Sequence, residues 1–274
     1  MWNKKWNPLI DIVVGTRRIV LKYFIPNQPN DYALKSDGSP LSIADLEINS
    51  YLATNLQKFY PQIAIVSEEN DADQNLEAML RDEVFIIDPL DGTQSFIEGN
   101  PEFTVNVALK INKSLELGII YLPVDDVLYY ADSEIGCLKI INASKEERDI
   151  VLLQTQQKKI QKELRIIATK RKDEVEEIKR ITVKIQKKIS FIHVASAIKF
   201  CWLCDDRADA YFRIARIKIW DVAAGFVLVK NCGFEVHHQE NNLVPMILKN
   251  EYIEKLAKNE LRIEPFIIKR KMDF

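Results

Sequence analysis

Residues 88–93 read Asp-Pro-Leu-Asp-Gly-Thr and directly follow the short apolar run 84–87. The run predicts a buried strand, and the six residues after it are expected to form its exit loop. A proline separates Asp88 from Asp91, and a glycine follows, so the loop can turn two carboxylates and a backbone carbonyl toward one point. Crowded oxygen ligands suit a hard divalent cation such as Mg²⁺. The stretch therefore predicts a metal site.

The size and charge of the chain restrict the classes of function that need to be considered. At 274 residues it can bury a substantial core, as one large domain or as two lobes. The formal net charge of -2 shows no basic excess, so we expect no nucleic-acid polymer as partner. We find no apolar run of about 18 residues and no signal-peptide pattern, which predicts a cytoplasmic protein without a transmembrane helix. Trp2 and Trp6 beside basic residues leave peripheral membrane association open, although a helix packed on its own domain is the simpler interpretation.

The cysteines do not indicate a disulfide framework, because there are only four in a chain of this length. Cys201 and Cys204 have the C-x-x-C spacing of redox and zinc sites. A zinc site needs about four ligands, and only His193 among the three histidines lies near this pair in sequence. We therefore expect the pair to be packed as small buried thiols.

The hydrophobic pattern divides the chain into two lobes, 1–150 and 151–274, with the polar run 154–162 as a plausible crossing point. The first lobe is expected to be α+β, because two helical patterns precede closely spaced strands that favour an antiparallel sheet. Its predicted helices are 5–24 and 42–60, and its predicted strands are 63–67, 84–87, 105–111, 115–121, 127–131 and 137–141. The second lobe alternates helices with strands and is expected to be α/β. Its predicted strands are 166–169, 189–194 and 210–214, and its predicted helices are 173–188, 196–204 and 221–231.

Two further acidic segments accompany the 88–93 stretch, namely Ser67-Glu68-Glu69 and Trp220-Asp221. With Asp88 and Asp91 they can bring up to four negative charges to one place, and these could not all stay ionised without cations. Each acid alone has a plainer explanation, on the surface or as a helix cap. Asp221 in particular opens a predicted helix, where a carboxylate is favoured.

The motifs resemble those of the inositol monophosphatase family of Mg²⁺-dependent, lithium-sensitive phosphatases. The family pattern is an acidic pair after a strand, then D-P-[LI]-D-G-T, then W-D-x-A-A-G. All three occur here in the same order, and the third spans Trp220 to Gly225. The resemblance covers most of the chain and implies an αβαβα layered sugar-phosphatase fold with the active site between two lobes.

Roles for individual residues follow from this resemblance. It implies that two or three Mg²⁺ ions bind to a set of oxygen ligands, which are Glu68, Asp88, the Leu90 carbonyl, Asp91 and Asp221. The implied catalytic residues are Asp45, Thr93 and Glu68, with Thr93 and Asp45 activating a water molecule. Ser42 and Asp45 also fit a capping box at a helix start, which is compatible with catalysis. Gly92 and Thr93 are expected to face the phosphate of a small phosphate ester through their backbone amides.

Within the family, several segments resemble bacterial 3'(2'),5'-bisphosphate nucleotidases. The similar segments are Gly99 to Leu109, Lys35 to Pro40, Ser196 to Cys201 and Ala208 to Arg213. This likeness implies adenosine 3',5'-bisphosphate or a related compound of sulfur assimilation as substrate. It also implies that Ser196 and Lys199 contact substrate phosphate, beside Asp221.

Other positions depart from that subgroup. The subgroup sequence D-G-T-K-E-F is replaced by a segment with Gln94 and Ser95, and the S-R-S-H element is replaced by Thr169-Lys170-Arg171-Lys172. Alternative hypotheses are therefore a phosphatase of inositol monophosphate or another sugar phosphate, and a weakly catalytic protein that binds metal or nucleotide. Related phosphatases occur as monomers and as homodimers, and both states stay open.

Overall fold

The computed structural model describes residues 6–35, 38, 40–153, 163–169, 171–238 and 261–270. The helices are α1 (Asn7–Gly15), α2 (Arg17–Tyr23), α3 (Ile43–Phe59), α4 (Ala72–Met79), α5 (Thr93–Ile97), α6 (Lys172–Ile181), α7 (Ile198–Cys204) and α8 (Ala223–Asn231). The strands of the first half are β1 (Ala33–Leu34), β2 (Pro40–Leu41), β3 (Ala64–Ser67), β4 (Glu83–Asp91), β5 (Thr104–Ile111), β6 (Ser114–Leu122), β7 (Val127–Asp132), β8 (Gly136–Ile141) and β9 (Asp149–Leu153). Those of the second half are β10 (Glu163–Ile167), β11 (Lys188–Ile192), β12 (Ala210–Arg213), β13 (Ile217–Lys218), β14 (Phe234–His238), β15 (Arg262–Ile263) and β16 (Phe266–Arg270).

The larger sheet has seven described strands in the order β3-β4-β5-β6-β7-β8-β9. Every neighbouring pair is antiparallel except β3 and β4, which are parallel. The predicted antiparallel sheet is therefore confirmed, with one parallel pair at its edge. That pair matters for function, because the ends of β3 and β4 point in the same direction and bring the residues that follow them together.

The smaller sheet has the described order β11-β10-β12-β16-β14. β10 runs parallel to β11 and β12, whereas β16 runs antiparallel to both β12 and β14. The parallel strands are connected through α6 and α7, as the predicted alternation of helices and strands requires.

Three hydrophobic cores separate five layers. The first core packs α1, α2 and α3 on one face of the larger sheet. The second contains α7 and α8 between the other face of that sheet and the smaller sheet. The third places α6 on the outer face of the smaller sheet. This order is helix, sheet, helix, sheet, helix, so the predicted αβαβα layering is confirmed.

The helix α3 has a well-defined beginning. Ser42 is its N-cap, and the Ser42 side chain and the Asp45 side chain form a reciprocal capping box. Asp45 Oδ2 accepts a 2.8 Å hydrogen bond from the Ser42 backbone N–H. The predicted helix and its cap are thus confirmed, and the cap holds the buried Asp45 carboxyl group in a fixed position.

Several predicted helix limits were wrong. The expected helix over 5–24 is divided at Thr16, whose hydroxyl donates a 2.6 Å hydrogen bond to the Val13 carbonyl. The expected helix over 173–188 ends at Ile181, where the Thr182 hydroxyl donates to the Ile178 carbonyl at 2.7 Å. In both places a threonine hydroxyl donates to a backbone carbonyl of the preceding helical turn. None of the helices described here is long and apolar enough to cross a membrane. The crossing point at 154–162 lies outside the described residues, so the domain boundary stays a prediction.

Candidate metal and active centre

The strand β4 does not end where the sequence pattern predicted. It continues through the expected exit loop to Asp91, and its pairing with β5 shifts between Asp88 and Asp91. Asp88 pairs with Asn106 and Asp91 with Thr104, so three steps on β4 face two steps on β5. In a regular strand, residues three apart point to opposite faces. The extra residue is a β-bulge and allows both carboxylates to serve one site.

Three carboxylates meet beside this bulge. One oxygen each from Glu68, Asp88 and Asp221 lies within 4.8 Å of the others. Glu68 directly follows β3, the parallel neighbour of β4, and Asp221 lies two positions before the first residue of α8. Asp221 was expected to open this helix, but the N-cap is Val222, and no side chain caps α8. The Asp221 carboxylate is therefore available to the acidic centre.

Burial and mutual repulsion govern the electrostatics of the centre. Burial, together with the nearby charges of Asp91 and Glu68, raises the pKa of Asp221 to about 8. Burial also raises the pKa of Asp88 well above its ordinary value, with Glu68 and Asp91 adding to the effect. Asp88 Oδ2 is buried and accepts no hydrogen bond from the described residues. An oxygen without a donor, among carboxylates that repel one another, fits a divalent cation with oxygen ligands.

Asp91 is held by the segment directly before α7. Its Oδ2 atom accepts a 2.8 Å hydrogen bond from the Ser196 hydroxyl and another from the Ala197 backbone N–H. The Ser196 hydroxyl also lies 2.7 Å from the Thr104 hydroxyl. Asp91 is not one of the three carboxylates that lie within 4.8 Å of one another, and its role as a ligand stays a prediction.

Thr93 lies between two acceptors. Its hydroxyl oxygen is 3.1 Å from Asp45 Oδ1 and 3.1 Å from the Leu90 carbonyl oxygen. Burial raises the pKa of Asp45, although hydrogen bonds from Ser42 and Thr93 oppose the shift. The structure thus brings together the predicted Thr–Asp pair and the predicted Leu90 carbonyl ligand.

Gly92 occupies a crowded position with φ of 96°, a left-handed conformation that favours glycine. A Cβ atom here would lie 2.9 Å from the Glu102 carbonyl oxygen and 3.2 Å from Ser196 Cβ. The missing side chain allows the loop from the second lobe to approach the bulge closely. That Gly92 and Thr93 amides face a phosphate stays a prediction.

Two basic side chains lie near the acidic centre. Lys199 Nζ is 5.9 Å from the centre of the Tyr211 ring, and burial lowers the pKa of Lys199. Arg213 acts electrostatically on both Lys199 and Asp221, and its Nε donates to the Ala215 carbonyl at 3.0 Å. The Tyr211 hydroxyl is buried and makes no hydrogen bond within the described chain. The sequence predicted Lys199 at this site but gave Arg213 no role.

Lys35 is another site residue to which sequence reasoning gave no function. Its Nζ lies 2.8 Å from Glu68 Oε1 and 2.7 Å from Glu69 Oε1. The only available signal was its place at the start of the 35–40 loop. Within that loop Ser36, Asp37 and Ser39 lie outside the described residues. Lys170, in the basic segment 169–172 that differs from the bisphosphate nucleotidase pattern, also lies outside them. Neighbouring Arg171 pairs with Asp173 on the surface at 2.7 Å.

Comparisons with known proteins agree with these features. A model of the inositol monophosphatase family matches residues 8–266. The chain is similar to the 3'(2'),5'-bisphosphate nucleotidase CysQ of Salmonella typhimurium, with 30% identity over 220 residues that cover 80% of this chain and 84% of that protein. The same enzyme of Buchnera aphidicola is 31% identical over 240 residues, covering 86% and 85%. The crystal structure of CysQ from Bacteroides thetaiotaomicron superposes with a TM-score of 0.72 and 25% identity, covering 98% of each chain.

Proposed function

The chain belongs to the inositol monophosphatase family and is a phosphatase, and we propose that it is a Mg²⁺-dependent 3'(2'),5'-bisphosphate nucleotidase. The proposed substrate is adenosine 3',5'-bisphosphate or a related small molecule of sulfur assimilation. Inhibition by Li⁺ and a cytoplasmic location belong to the same proposal. The four free, buried thiols support that location, because reducing compartments keep thiols free.

One observation carries the proposal, namely the convergence of Glu68, Asp88 and Asp221 within 4.8 Å. Three acids at this distance, of which Asp88 is buried, repel one another, and the described chain offers Asp88 Oδ2 no hydrogen bond. Mg²⁺ prefers carboxylate oxygens and usually keeps some water, so these residues, with Asp91 and the Leu90 carbonyl, would hold one or more ions. Bound Mg²⁺ would offset charge on the phosphoryl oxygens and acidify a water molecule.

The chain itself supplies the proton path. Thr93 lies within hydrogen-bond distance of Asp45, so its hydroxyl proton can pass to the carboxylate while its oxygen accepts a proton from the attacking water. Burial raises the pKa of Asp45, which makes its carboxylate a better proton acceptor. The capping box of α3 keeps Asp45 aimed at Thr93 throughout.

Lys199 and Arg213 support an anionic substrate with more than one phosphate. Both lie close enough to Asp221 for their charges to act at the acidic centre. No described carboxylate lies at ion-pair distance from Lys199, so its charge is available to a ligand. About 30% identity to bisphosphate nucleotidases over most of the chain supports the same assignment.

A second candidate is a phosphatase of inositol 1-phosphate or another sugar phosphate. It is favoured by Gln94 and Ser95, which replace a charge of each sign beside the site. Gln94 is exposed and donates a 2.7 Å hydrogen bond to Glu98, and Ser95 is buried. Neither residue supplies the charge that the bisphosphate nucleotidase pattern has at these positions.

A substrate panel tests the proposal. Phosphate release is measured from adenosine 3',5'-bisphosphate, adenosine 5'-monophosphate and inositol 1-phosphate, with Mg²⁺ or EDTA and with or without Li⁺. We expect the bisphosphate to be cleaved most efficiently, in a reaction that requires Mg²⁺ and is inhibited by Li⁺. Preference for inositol 1-phosphate would favour the second candidate, and absence of release from every ester would refute both. Asp91→Asn serves as the inactive control, with Asp173→Asn on the surface as its matched active control.

A further inference from the structure

Three cysteines from different elements converge far from the acidic centre in sequence. Cys137 lies on β8, Cys204 is the last residue of α7, and Cys232 directly follows α8. Their sulfur atoms all lie within 4.8 Å of one another. All three are buried, with exposed fractions of 0%, 7% and 2%, so the cluster is closed to water except beside Cys204.

Within the cluster the thiolate form is favoured at Cys232, whereas burial raises the pKa of Cys204 well above its ordinary value and the pKa of Cys137 is raised as well. Hydrogen bonds from Cys137 and Cys204 lower the pKa of Cys232 to about 5, and the charge of Arg270 acts in the same direction. Arg270 is fixed beside it, because its Nη1 donates to the Cys232 carbonyl at 3.2 Å and its Nη2 pairs with Asp206 at 2.6 Å. A thiolate is the form of cysteine that binds metals.

We propose that Cys137, Cys204 and Cys232 form a binding site for a soft, thiophilic metal ion, with Cu(I) as the ion that suits it best. Thiolates select soft ions, and the 4.8 Å group contains three sulfurs without a nitrogen or oxygen ligand among the described residues. A structural zinc site uses four ligands, one more than this cluster supplies. Binding involves no electron transfer, because Cu⁺ joins one thiolate and two thiols and releases two protons.

The position of the cluster gives binding a structural consequence. Lys199 lies in the first turn of α7, and Cys204 ends that helix. Asp221 precedes α8, and Cys232 follows it. A bound ion would therefore join the far ends of both helices to β8 and hold in place the two helices that position residues of the acidic centre.

Cys201 provides a matched control. It lies one turn before Cys204 on the same helix, is 1% exposed, and is not part of the three-sulfur group. Replacing it removes a buried thiol from α7 without removing a proposed ligand. A general loss of thiol reactivity or of packing would affect Cys201 and Cys204 variants alike, whereas loss of the metal site would separate them.

The test titrates Cu(I) into the reduced full-length protein under anaerobic conditions, in competition with the chromophoric chelator bicinchoninate. We expect one tightly bound ion in the wild type and in Cys201→Ser, and at least roughly tenfold weaker binding in Cys204→Ser and Cys232→Ser. Equal affinity in all four proteins, or no competition by the wild type, would overturn the site. Circular dichroism verifies that each variant is folded.

X-ray absorption of the wild-type complex gives a measurement that does not depend on any variant. Three sulfur neighbours around copper are expected. Nitrogen or oxygen neighbours alone would refute the thiolate site. A parallel titration with Zn²⁺ tests the choice of ion, since tighter binding of Zn²⁺ with four sulfur neighbours would replace Cu(I) and add Cys201 to the ligands.

Discussion

The Ser196 hydroxyl donates a 2.8 Å hydrogen bond to Asp91 Oδ2, although the two residues are 105 positions apart in the chain. Asp91 ends the bulged strand β4, and Ser196 lies in the loop before α7, with a left-handed φ of 58°. The bond therefore joins a predicted metal ligand of one lobe to a predicted substrate residue of the other. Through this bond, the loop before α7 can orient the Asp91 carboxylate.

Replacing Ser196 tests this orienting role. We expect Ser196→Ala to raise the Mg²⁺ concentration for half-maximal activity by about 10–100-fold, because residues that orient metal ligands have effects of this size. Thr104→Ser keeps the hydroxyl that neighbours Ser196 and should behave like the wild type. A raised KM for the phosphate ester with an unchanged Mg²⁺ requirement would instead support direct contact between Ser196 and the substrate.

Replacing Asp221 by a neutral residue should have opposite effects on stability and on activity. Asp221→Asn is expected to raise the melting temperature of the metal-free protein above pH 8, where the ionised Asp221 carboxylate would repel Asp91 and Glu68. Activity should fall by more than the roughly 100-fold that loss of an orienting residue costs.

Asp209→Asn is the matched control for that variant. Asp209 is another buried acid, but it is paired with Arg165 at 2.9 Å, so its replacement should lower the melting temperature. Thermal unfolding in EDTA and initial rates in Mg²⁺ measure the two effects. A metal-free Asp221→Asn protein less stable than the wild type above pH 8 would contradict the account of the acidic centre.

Thr93 allows a test of the proton path by near-isosteric replacement. Thr93→Val removes the hydroxyl that lies 3.1 Å from Asp45 and should reduce kcat by roughly 10²–10⁴-fold. Thr93→Ser keeps the hydroxyl and should retain most of the activity. Equal losses in the two variants would mean that packing of the methyl group, rather than proton transfer, explains the effect.

The raised pKa values predict how stability depends on pH when metal is removed. Asp221 titrates near pH 8 in the folded protein, against about 3.9 for an unperturbed aspartate. The folded state therefore binds the proton more tightly, and its stabilising effect is complete below pH 4 and is lost as the pH rises through 8. In EDTA we expect the melting temperature to fall between pH 5.5 and 8.5.

Addition of Mg²⁺ should reverse this trend. The ion binds the ionised carboxylates, so the rise in melting temperature on adding Mg²⁺ should itself increase over the same pH range. Asp221→Asn should flatten the pH dependence in EDTA. A Mg²⁺ effect that is constant from pH 5.5 to 8.5 would show that the ion binds elsewhere.

Sequence patterns predicted the helices and strands because their signals are local, whereas the layering was implied by the resemblance to the family. The α3 capping box, the apolar runs of the strands and the alternation in the second lobe each depend on neighbouring residues. The motifs also predicted Glu68, Asp88 and Asp221 as members of one site, and the structure places one oxygen of each within 4.8 Å of the others.

Other features depend on pairing between distant segments and had no local signal. The extension of β4 through Pro89 to Asp91 is a property of its pairing with β5, so the 88–93 stretch looked like a loop. The contact of Lys35 with Glu68 joins residues that are 33 positions apart in the chain. The three-cysteine cluster likewise needs the five-layer packing, whereas sequence spacing drew attention to Cys201 instead.

The bulge in β4 makes the acidic centre depend on the number of residues as well as on their chemistry. Between their two pairings with β5, Asp88 and Asp91 are one residue further apart than regular pairing would place them. Deleting Leu90 would leave both aspartates in the protein and could restore regular pairing. Two steps apart on a regular strand, both carboxylates would still share one face, but the bulged backbone and the Leu90 carbonyl that accepts from Thr93 would be lost. The centre should therefore tolerate changes of side chain at position 90 far better than any change in length, because strand register is counted in whole residues.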